Sequence, residues 1–398
     1  MISVSEAEQI ILEQTIALKS IQIKLDDCVN HVLDEDIVAD LNFPPFDRVT
    51  MDGIALSYSQ WAKGQRQFGI SGVHTAGSEN VTLDDDTRCL EVMTGAILPI
   101  GTDTAVRYED VEIKDDLATI ITDVVKGQNI HHRGLDRKQG DLLIKKNTLI
   151  TSSEIGVLAT VGKNIVQVKD LPKIAIISTG DELIDVQIQP LPHQIRKSNV
   201  HSIKASLQEF NISADLHHLN DDMEGTIRNL GSIMDNYNVV LLSGGVSKGK
   251  ADYVPEALER LGVKKLFHRI KQRPGKPFWF GVGAGQKMLF ALPGNPVSTF
   301  LCYYRYFIPW LRKTLGHPTE VNYAALASDF FFKPNLTYFL QVKTFSDPST
   351  AQIIAHPMAG HGSGDHANLL QSDAFIELPE DRSEFKKGEI FKIIKFKP

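Results

Sequence analysis

The sequence predicts a multidomain α/β protein. Its main domain is a doubly wound, mostly parallel sheet, accompanied by an N-terminal helical segment, an inserted β-rich domain and a small C-terminal β-barrel or sandwich. Three observations point there. Between residues 170 and 316, short continuous apolar runs alternate with stretches of helical spacing, as expected of parallel strands buried on both faces by crossover helices. From 43 to 140, and again from 317 to 398, short strand-like runs are separated by turns rich in Gly, Asp and Asn, a pattern of hairpins and small sheets. Outside the α/β region, helical spacing is confined to residues 1–42 and 141–169, which are read together as one segment interrupted by the insertion.

The elements follow in order. Ser5 and Glu8 have capping-box spacing, and Ala7, Ile10, Ile11 and Leu18 share a helical face. A second short helix is expected over Leu25–Val32. The run Asn42-Phe-Pro-Pro-Phe-Asp47 ends regular structure, because paired prolines restrict the backbone on both sides. Strands are expected at Ile54–Tyr58, Thr104–Tyr108 and Ala118–Val124, a return to the helical segment at Leu142–Thr160, and a linker ending at Pro172. The α/β region then gives strands at Ile174–Ile177, Ala214–Leu219, Val239–Leu242, Lys264–Ile270, Pro277–Gly281 and Met288–Leu292. Its helices follow Ser198, span Asp222–Asp235 and Asp252–Leu261, and run from Pro296 to about Leu315, proline being favoured in a first turn. Further strands are expected at Phe339–Lys343, Gln352–His356, Ala374–Leu378 and Glu389–Ile394.

Composition narrows the function. The chain of 398 residues carries a formal net charge of −7, which argues against a non-specific nucleic-acid binder. Its three cysteines, Cys28, Cys89 and Cys302, are far apart, which argues against a cysteine zinc site or disulfide framework and fits a reducing compartment. Cys302 lies in an apolar helical run and is read as core. The pairs His131-His132 and His217-His218 direct their side chains apart and are read as surface packing rather than metal ligands. The opening residues lack a signal-peptide pattern, and no apolar run reaches the length of a membrane span. A cytoplasmic protein is expected.

In open α/β sheets, ligands bind beyond the carboxyl ends of the strands, and the polar loops of this chain fall there. Ser178-Thr-Gly-Asp-Glu182 follows a buried strand and places acids at that edge. Ser243-Gly-Gly-Val-Ser-Lys-Gly-Lys-Ala-Asp252 combines three glycines with two serines, so that backbone amides can approach an anion closely, although its spacing matches no standard nucleotide motif. Arg269, Lys271 and Arg273 would face one side of a strand, and Lys276 adds a fourth positive charge. Leu292-Pro-Gly-Asn-Pro-Val-Ser298 joins a strand to a helix N-terminus, where free N–H groups favour anions. Each segment could also be a plain structural turn. Together they point to a phosphate-bearing, anionic small molecule. Met51-Asp-Gly53, Met93-Thr-Gly-Ala96 and Arg133-Gly-Leu-Asp136 are polar corners in the inserted region.

Taken in order, Phe43-Pro-Pro-Phe-Asp47, Met51-Asp-Gly53, Met93-Thr-Gly-Ala96, Ser178-Thr-Gly-Asp-Glu182, Ser243-Gly-Gly-Val-Ser247, Ala251-Asp-Tyr253, Pro274-Gly-Lys-Pro277 and Leu292-Pro-Gly-Asn-Pro-Val-Ser298 closely resemble the molybdopterin molybdenumtransferase family, to which the C-terminal region of gephyrin is related. The resemblance spans nearly the whole chain. It implies insertion of molybdenum from molybdate into adenylylated molybdopterin, with release of AMP and assistance from Mg²⁺. Carried over by position, it implies a catalytic set of Asp52, Thr94, Asp136, Glu182, Asp221 and Asp252, with Glu182, Asp221 and Asp252 toward the metal. It implies that Ser243, Gly244, Gly245, Ser247, Arg269, Arg273, Lys276, Pro293, Gly294, Pro296, Ser298 and Ser363 hold the pterin phosphate, AMP and molybdate. It also implies a homodimer whose inserted domain completes the partner's site, with the adenylyltransferase of the same pathway as a candidate partner. The chain departs from the family in carrying Arg269 and Arg273 where lysine is common, and Gln341 in place of an arginine linked with molybdate. The alternatives are the adenylyltransferase itself, which has a shorter chain, and a non-catalytic gephyrin-like scaffold, which would have no need of the scattered acids.

Overall fold

The computed structural model describes residues 1–246, 253–358 and 360–397. They fall into two compact units, one of residues 1–34, 147–152 and 165–398, the other of residues 35–146 and 153–164.

The first unit is built around a six-stranded sheet. Strands β1 (Ile174–Thr179), β2 (Asp215–Leu219), β3 (Val239–Ser243), β4 (Lys264–His268), β5 (Trp279–Gly283) and β6 (Lys287–Leu292) lie in the order β2-β1-β3-β6-β5-β4. The first four are parallel, and β5 and β4 are antiparallel additions at one side. Every residue of β1 and β3 is buried, as strands covered on both faces require. Alternation divides their side chains. Ile174, Ile176, Leu241 and Phe290 pack on one face with helices α1 (Val4–Glu13), α2 (Asn199–Leu207), α5 (Pro296–Cys302) and α6 (Ile308–Leu315). Ala175, Ile177, Leu242 and Leu289 pack on the other with α3 (Met223–Asn236) and α4 (Val254–Arg260). Cys302 is fully buried in the first cluster, and burial pushes its thiol well up from the usual range.

Several expected elements shift for identifiable reasons. The capping box is formed by Ser3 and Glu6 rather than Ser5 and Glu8: Ser3 N–H donates to Glu6 Oε2 at 2.7 Å and Glu6 N–H donates to Ser3 Oγ at 3.1 Å. Starting the helix there puts Val4, Ala7 and Ile11 on its buried face and frees Glu8 for an ion pair. Leu25–Val32 yields only a 3₁₀ turn, Leu25–Asp27, because the chain reverses at Asn30, whose φ is +66°. The long helix after Pro296 contains a π-helical stretch, Tyr303–Phe307, between α5 and α6. Pro309 follows it and cannot donate a backbone hydrogen bond, so the ladder is adjusted there.

The strand expected over Lys264–Ile270 stops at His268. Arg269 has a left-handed φ of +85°. Fully buried Ile270 then turns into the core and bridges to Ile2. Gln272–Arg273 starts a strand in a different sheet. Residues 269, 271 and 273 therefore do not form one basic row.

That second sheet closes. Strands β7 (Asn322–Leu326), β8 (Thr337–Ser346), β9 (Ile353–Pro357), β10 (Ala374–Leu378) and β11 (Ile390–Lys395) run β8-β9-β7-β11-β10 and return to β8. The result is a five-stranded barrel filled by Leu340, Val342, Ile376 and Phe391. Gln272–Arg273 pairs in parallel with Thr337–Tyr338 and fastens the α/β sheet to the barrel.

Arg305, in the π-helical stretch, joins the same parts electrostatically. Its side chain is 3% exposed, with Nη1 2.8 Å from Glu8 of α1 and Nε 3.0 Å from Glu377 of β10. Burial by itself disfavours the charged guanidinium. The Glu8 hydrogen bond and the Glu377 charge outweigh it and raise the pKa.

The second unit has its own sheet, in the order Thr104–Arg107, Gly53–Leu56, Arg88–Val92, Gln67–His74, Leu117–Ile120 and Val111–Lys114. Its core includes Ile54, Leu56, Phe68 and Val106. Gly53 is required by packing, since a Cβ there would lie 1.9 Å from the Val106 carbonyl oxygen.

Removing one member of a buried ion cluster leaves its partners without compensation. Arg305→Ala is expected to lower unfolding free energy by about 3 kcal/mol, read as a drop in the urea midpoint with an unchanged slope.

Candidate active site

The four parallel strands end in register. Thr179 lies opposite Leu219, Ser178 opposite Ser243, and Ser243 opposite Leu292. Because β1 and β3 are buried along their whole length and β6 along nearly all of it, their polar groups emerge together in the loops that leave the carboxyl ends. With the barrel wall around β8, these loops border a cavity of about 1010 Å³.

Hydrogen bonds and close approaches hold the loops. Asn199, at the start of α2, donates its Nδ2 hydrogens to Gly294 O (2.8 Å), Ser243 Oγ (2.9 Å) and Thr299 Oγ1 (3.2 Å), stapling three segments. Gly244, at φ +105°, lies against β1, so that a Cβ there would be 2.6 Å from Thr179 Oγ1. Gly180, at φ +123°, lies beneath the Glu182 carboxylate in the same way. At the first turn of α5, Val297 N–H donates to Ser363 O (3.0 Å) and Asn295 Nδ2 to Ser363 Oγ (2.8 Å), tying a barrel loop to a helix N-terminus.

Most of the expected residues in this unit meet here. Glu182, Asp221, Ser243, Gly244, Gly245, Arg273, Lys276, Pro293, Gly294, Pro296, Ser298 and Ser363 all border the cavity. Arg269 does not, because the chain reverses at that residue. Ser247 and Asp252 lie outside the described residues. Glu182 and Asp221 follow β1 and β2, Arg273 and Lys276 belong to the segment between β4 and β5, and Arg196 and Lys197 also border the cavity, on a segment paired with the residues after Glu182. Among the described residues no carboxylate pairs with Arg273 or Lys276. Among the described residues no group of three or more His, Cys, Asp or Glu side chains is gathered to hold a metal; Glu182 and Asp221 both border the cavity, and Mg²⁺ takes few protein ligands, completing its shell with water and phosphate oxygens.

Sequence reading missed part of the wall. Asn199 carries no motif, and its only local signal is an amide at a helix start two residues after the basic pair Arg196-Lys197. Lys197 also borders the cavity and pairs with Asp185 at 2.9 Å. Gln341 is 9% exposed, and its Oε1 accepts from Asn368 Nδ2 (3.0 Å) and Ser372 Oγ (3.3 Å). One member of each histidine pair is more than a surface residue. His218 Nδ1 is 2.9 Å from Ser178 Oγ, and burial, with the nearby Lys197 charge, lowers its pKa. His131 is held between two charged side chains.

Asp52, Thr94 and Asp136 belong to the second unit. There Asp52 Oδ1 accepts from Thr94 N–H (2.6 Å) and Thr94 Oγ1 (2.8 Å). These two bonds hold the Asp52 carboxyl below its ordinary value of 3.8, since both stabilise the ionised form. The Asp136 carboxylate is 2.8 Å from His131 Nε2.

Comparison with known proteins agrees with this layout. Residues 2–162 match the MoeA N-terminal region (domain I and II), residues 175–313 a probable molybdopterin binding domain, and residues 323–396 the MoeA C-terminal region (domain IV). A molybdopterin molybdenumtransferase of Synechocystis is 40% identical over 395 residues, covering 98% of this chain and 99% of the relative. The chain belongs to the molybdopterin molybdenumtransferase family. A Staphylococcus epidermidis member is 32% identical over 401 residues, covering 99% of this chain and 95% of its own length. A molybdopterin biosynthesis MoeA protein of Pyrococcus horikoshii superposes over 100% of both chains, with a TM-score of 0.85 and 27% identity. Among the described residues no helix of this family member is long and apolar enough to cross a membrane.

Gly244→Ala meets both a left-handed backbone and the Thr179 hydroxyl, and is expected to cost about 2–3 kcal/mol. Gly262→Ala, at φ +74° with nothing within 4 Å of its Cβ, should cost about 1 kcal/mol, both read by urea unfolding. Asp52 should titrate below 3.8 by carboxyl carbon NMR. Thr94→Val should move it back up, because the lowered folded value reflects interactions present above the unfolded pKa and lost as pH falls through the folded one.

Proposed function

We propose that the protein inserts molybdenum from molybdate into adenylylated molybdopterin, releasing AMP and yielding the molybdenum cofactor. The observation that carries this reading is that one cavity is bordered both by Arg273 and Lys276, which among the described residues pair with no carboxylate, and by the acids Glu182 and Asp221. Such a site suits a substrate bearing anionic oxygens at one end and a cation-bridged phosphoanhydride at the other. Full-length relatives named molybdopterin molybdenumtransferase support the same activity.

In this reading Arg273, Lys276, Ser298 and Ser363 hold molybdate and the pterin phosphate, and Pro293, Gly294 and Pro296 shape the turn that presents Ser298. The loop from Ser243 through Gly244 and Gly245 to Ser247 cradles the nucleotide phosphates. Glu182, Asp221 and Asp252 supply oxygen ligands for Mg²⁺. Bound there, Mg²⁺ would supply positive charge toward the phosphoanhydride and the AMP leaving group. Asp52, Thr94 and Asp136 act on the site of a second copy in a cytoplasmic homodimer, and the pathway's adenylyltransferase is a candidate donor of substrate. The adenylyltransferase and scaffold readings are not favoured, since the relatives named molybdopterin molybdenumtransferase align over the whole chain.

Incubation with adenylylated molybdopterin, molybdate and Mg²⁺ should release AMP in a molybdate-dependent manner. Loss of a charged hydrogen-bonding partner is worth about 1.5–3 kcal/mol. Arg273→Ala and Lys276→Ala should therefore each raise the half-saturating molybdate concentration about tenfold or more. Glu182→Gln should lower kcat by about a hundredfold. AMP release that is indifferent to molybdate would overturn the reading.

A further inference from the structure

We infer that His131 is a positioning residue for the Asp136 carboxylate and that Arg48 fixes the proton on His131 Nε2. The inference rests on the reading of Asp136 as a site carboxylate given under Proposed function. The backbone brings the three together. Ile130–His131 pairs antiparallel with Arg48–Val49, and His131 lies directly opposite Arg48, so their side chains project from one face. Arg48 Nη2 is 3.1 Å from His131 Nδ1, and His131 Nε2 is 2.8 Å from Asp136 Oδ1.

Hydrogen-bond bookkeeping settles the direction. A guanidinium has five N–H donors and no acceptor. The Nδ1 atom facing Arg48 must therefore offer its lone pair, which leaves the ring proton on Nε2. That proton points at Asp136. The opposite tautomer would set an N–H against the guanidinium and a lone pair against the carboxylate, losing both contacts. The backbone is fixed as well, since Asp136 N–H donates to Phe43 O at 2.9 Å. His131 is largely covered, at 21% exposure, whereas the Asp136 side chain is 55% exposed. One carboxylate oxygen is thus held by a neutral donor while the group stays open to a ligand. A second support of this kind orients a functional group without cancelling its charge. Adjacent His132 differs: it is 58% exposed and stands 3.4 Å from Asp47.

The test uses the full-length protein with ¹⁵N-labelled histidine. Long-range ¹H–¹⁵N spectra, with His131→Gln assigning the resonance, should show His131 as the Nε2–H tautomer. Arg48→Ala should convert it to a mixture and lower kcat for molybdate-dependent AMP release about tenfold, with KM little changed. Arg48→Lys, which keeps a cationic donor, should restore most of the loss. In an Asp136→Asn background, Arg48→Ala should add nothing, because the two act as one unit. An Nδ1–H tautomer or a doubly protonated ring in the wild type overturns the inference. So does Arg48→Ala with wild-type kcat, or losses in the double variant that multiply. If the wild type releases no molybdate-dependent AMP, the functional reading falls, and the tautomer measurement still decides the geometry around His131.

Discussion

The burial of β1 and β3 along their whole length is the constraint from which the rest of the first unit follows. A strand covered on both faces has nowhere to place a polar side chain except at its ends. β1 and β3 end in register with each other and with β6, so Thr179, Ser243 and Leu292 deliver their following loops to one place. The apolar clusters on either face thus do more than stabilise the domain. They decide where its hydroxyls, acids and backbone amides gather. The same requirement excludes side chains where loops touch: Gly244 exists because Thr179 occupies the space of its missing Cβ.

The cavity has a second wall because the chain changes sheets at Arg269–Gln272. A left-handed residue followed by a fully buried isoleucine ends one strand and starts another in the barrel. That reversal removes Arg269 from the site and presents Arg273 and Lys276 to it. Ser363 reaches the N-terminus of α5 from the barrel side through Asn295 and Val297, and buried Arg305 ties α1, the helix after α5 and β10 together. Sheet and barrel therefore form one framework around the ligand space.

In the second unit the candidate acids are held by neutral donors. Thr94 gives Asp52 two hydrogen bonds, and His131 gives Asp136 one. Neither acid is paired with a lysine or arginine among the described residues. The negative charge is oriented and kept available, which is what a carboxylate facing a cationic or metal-bearing partner requires.

The sequence by itself determined the fold class, the buried strands of the α/β sheet, the polar loops at their ends and the family. These signals are local: apolar runs of strand length, helical spacing, and glycine-rich turns in a fixed order are written in consecutive residues. The tertiary structure decided what depends on distant partners. Ser3 rather than Ser5 caps the first helix because Val4, Ala7 and Ile11 must face the sheet and Glu8 must reach Arg305. Arg269 leaves the site because Ile270 is drawn into a core formed with residues hundreds of positions away. Asn199 and His131 become structural supports only when Gly294 and Ser243, or Arg48 and Asp136, are brought beside them. Periodicity reports which face of an element is buried, whereas only packing fixes which side chains from separate elements come within hydrogen-bonding distance.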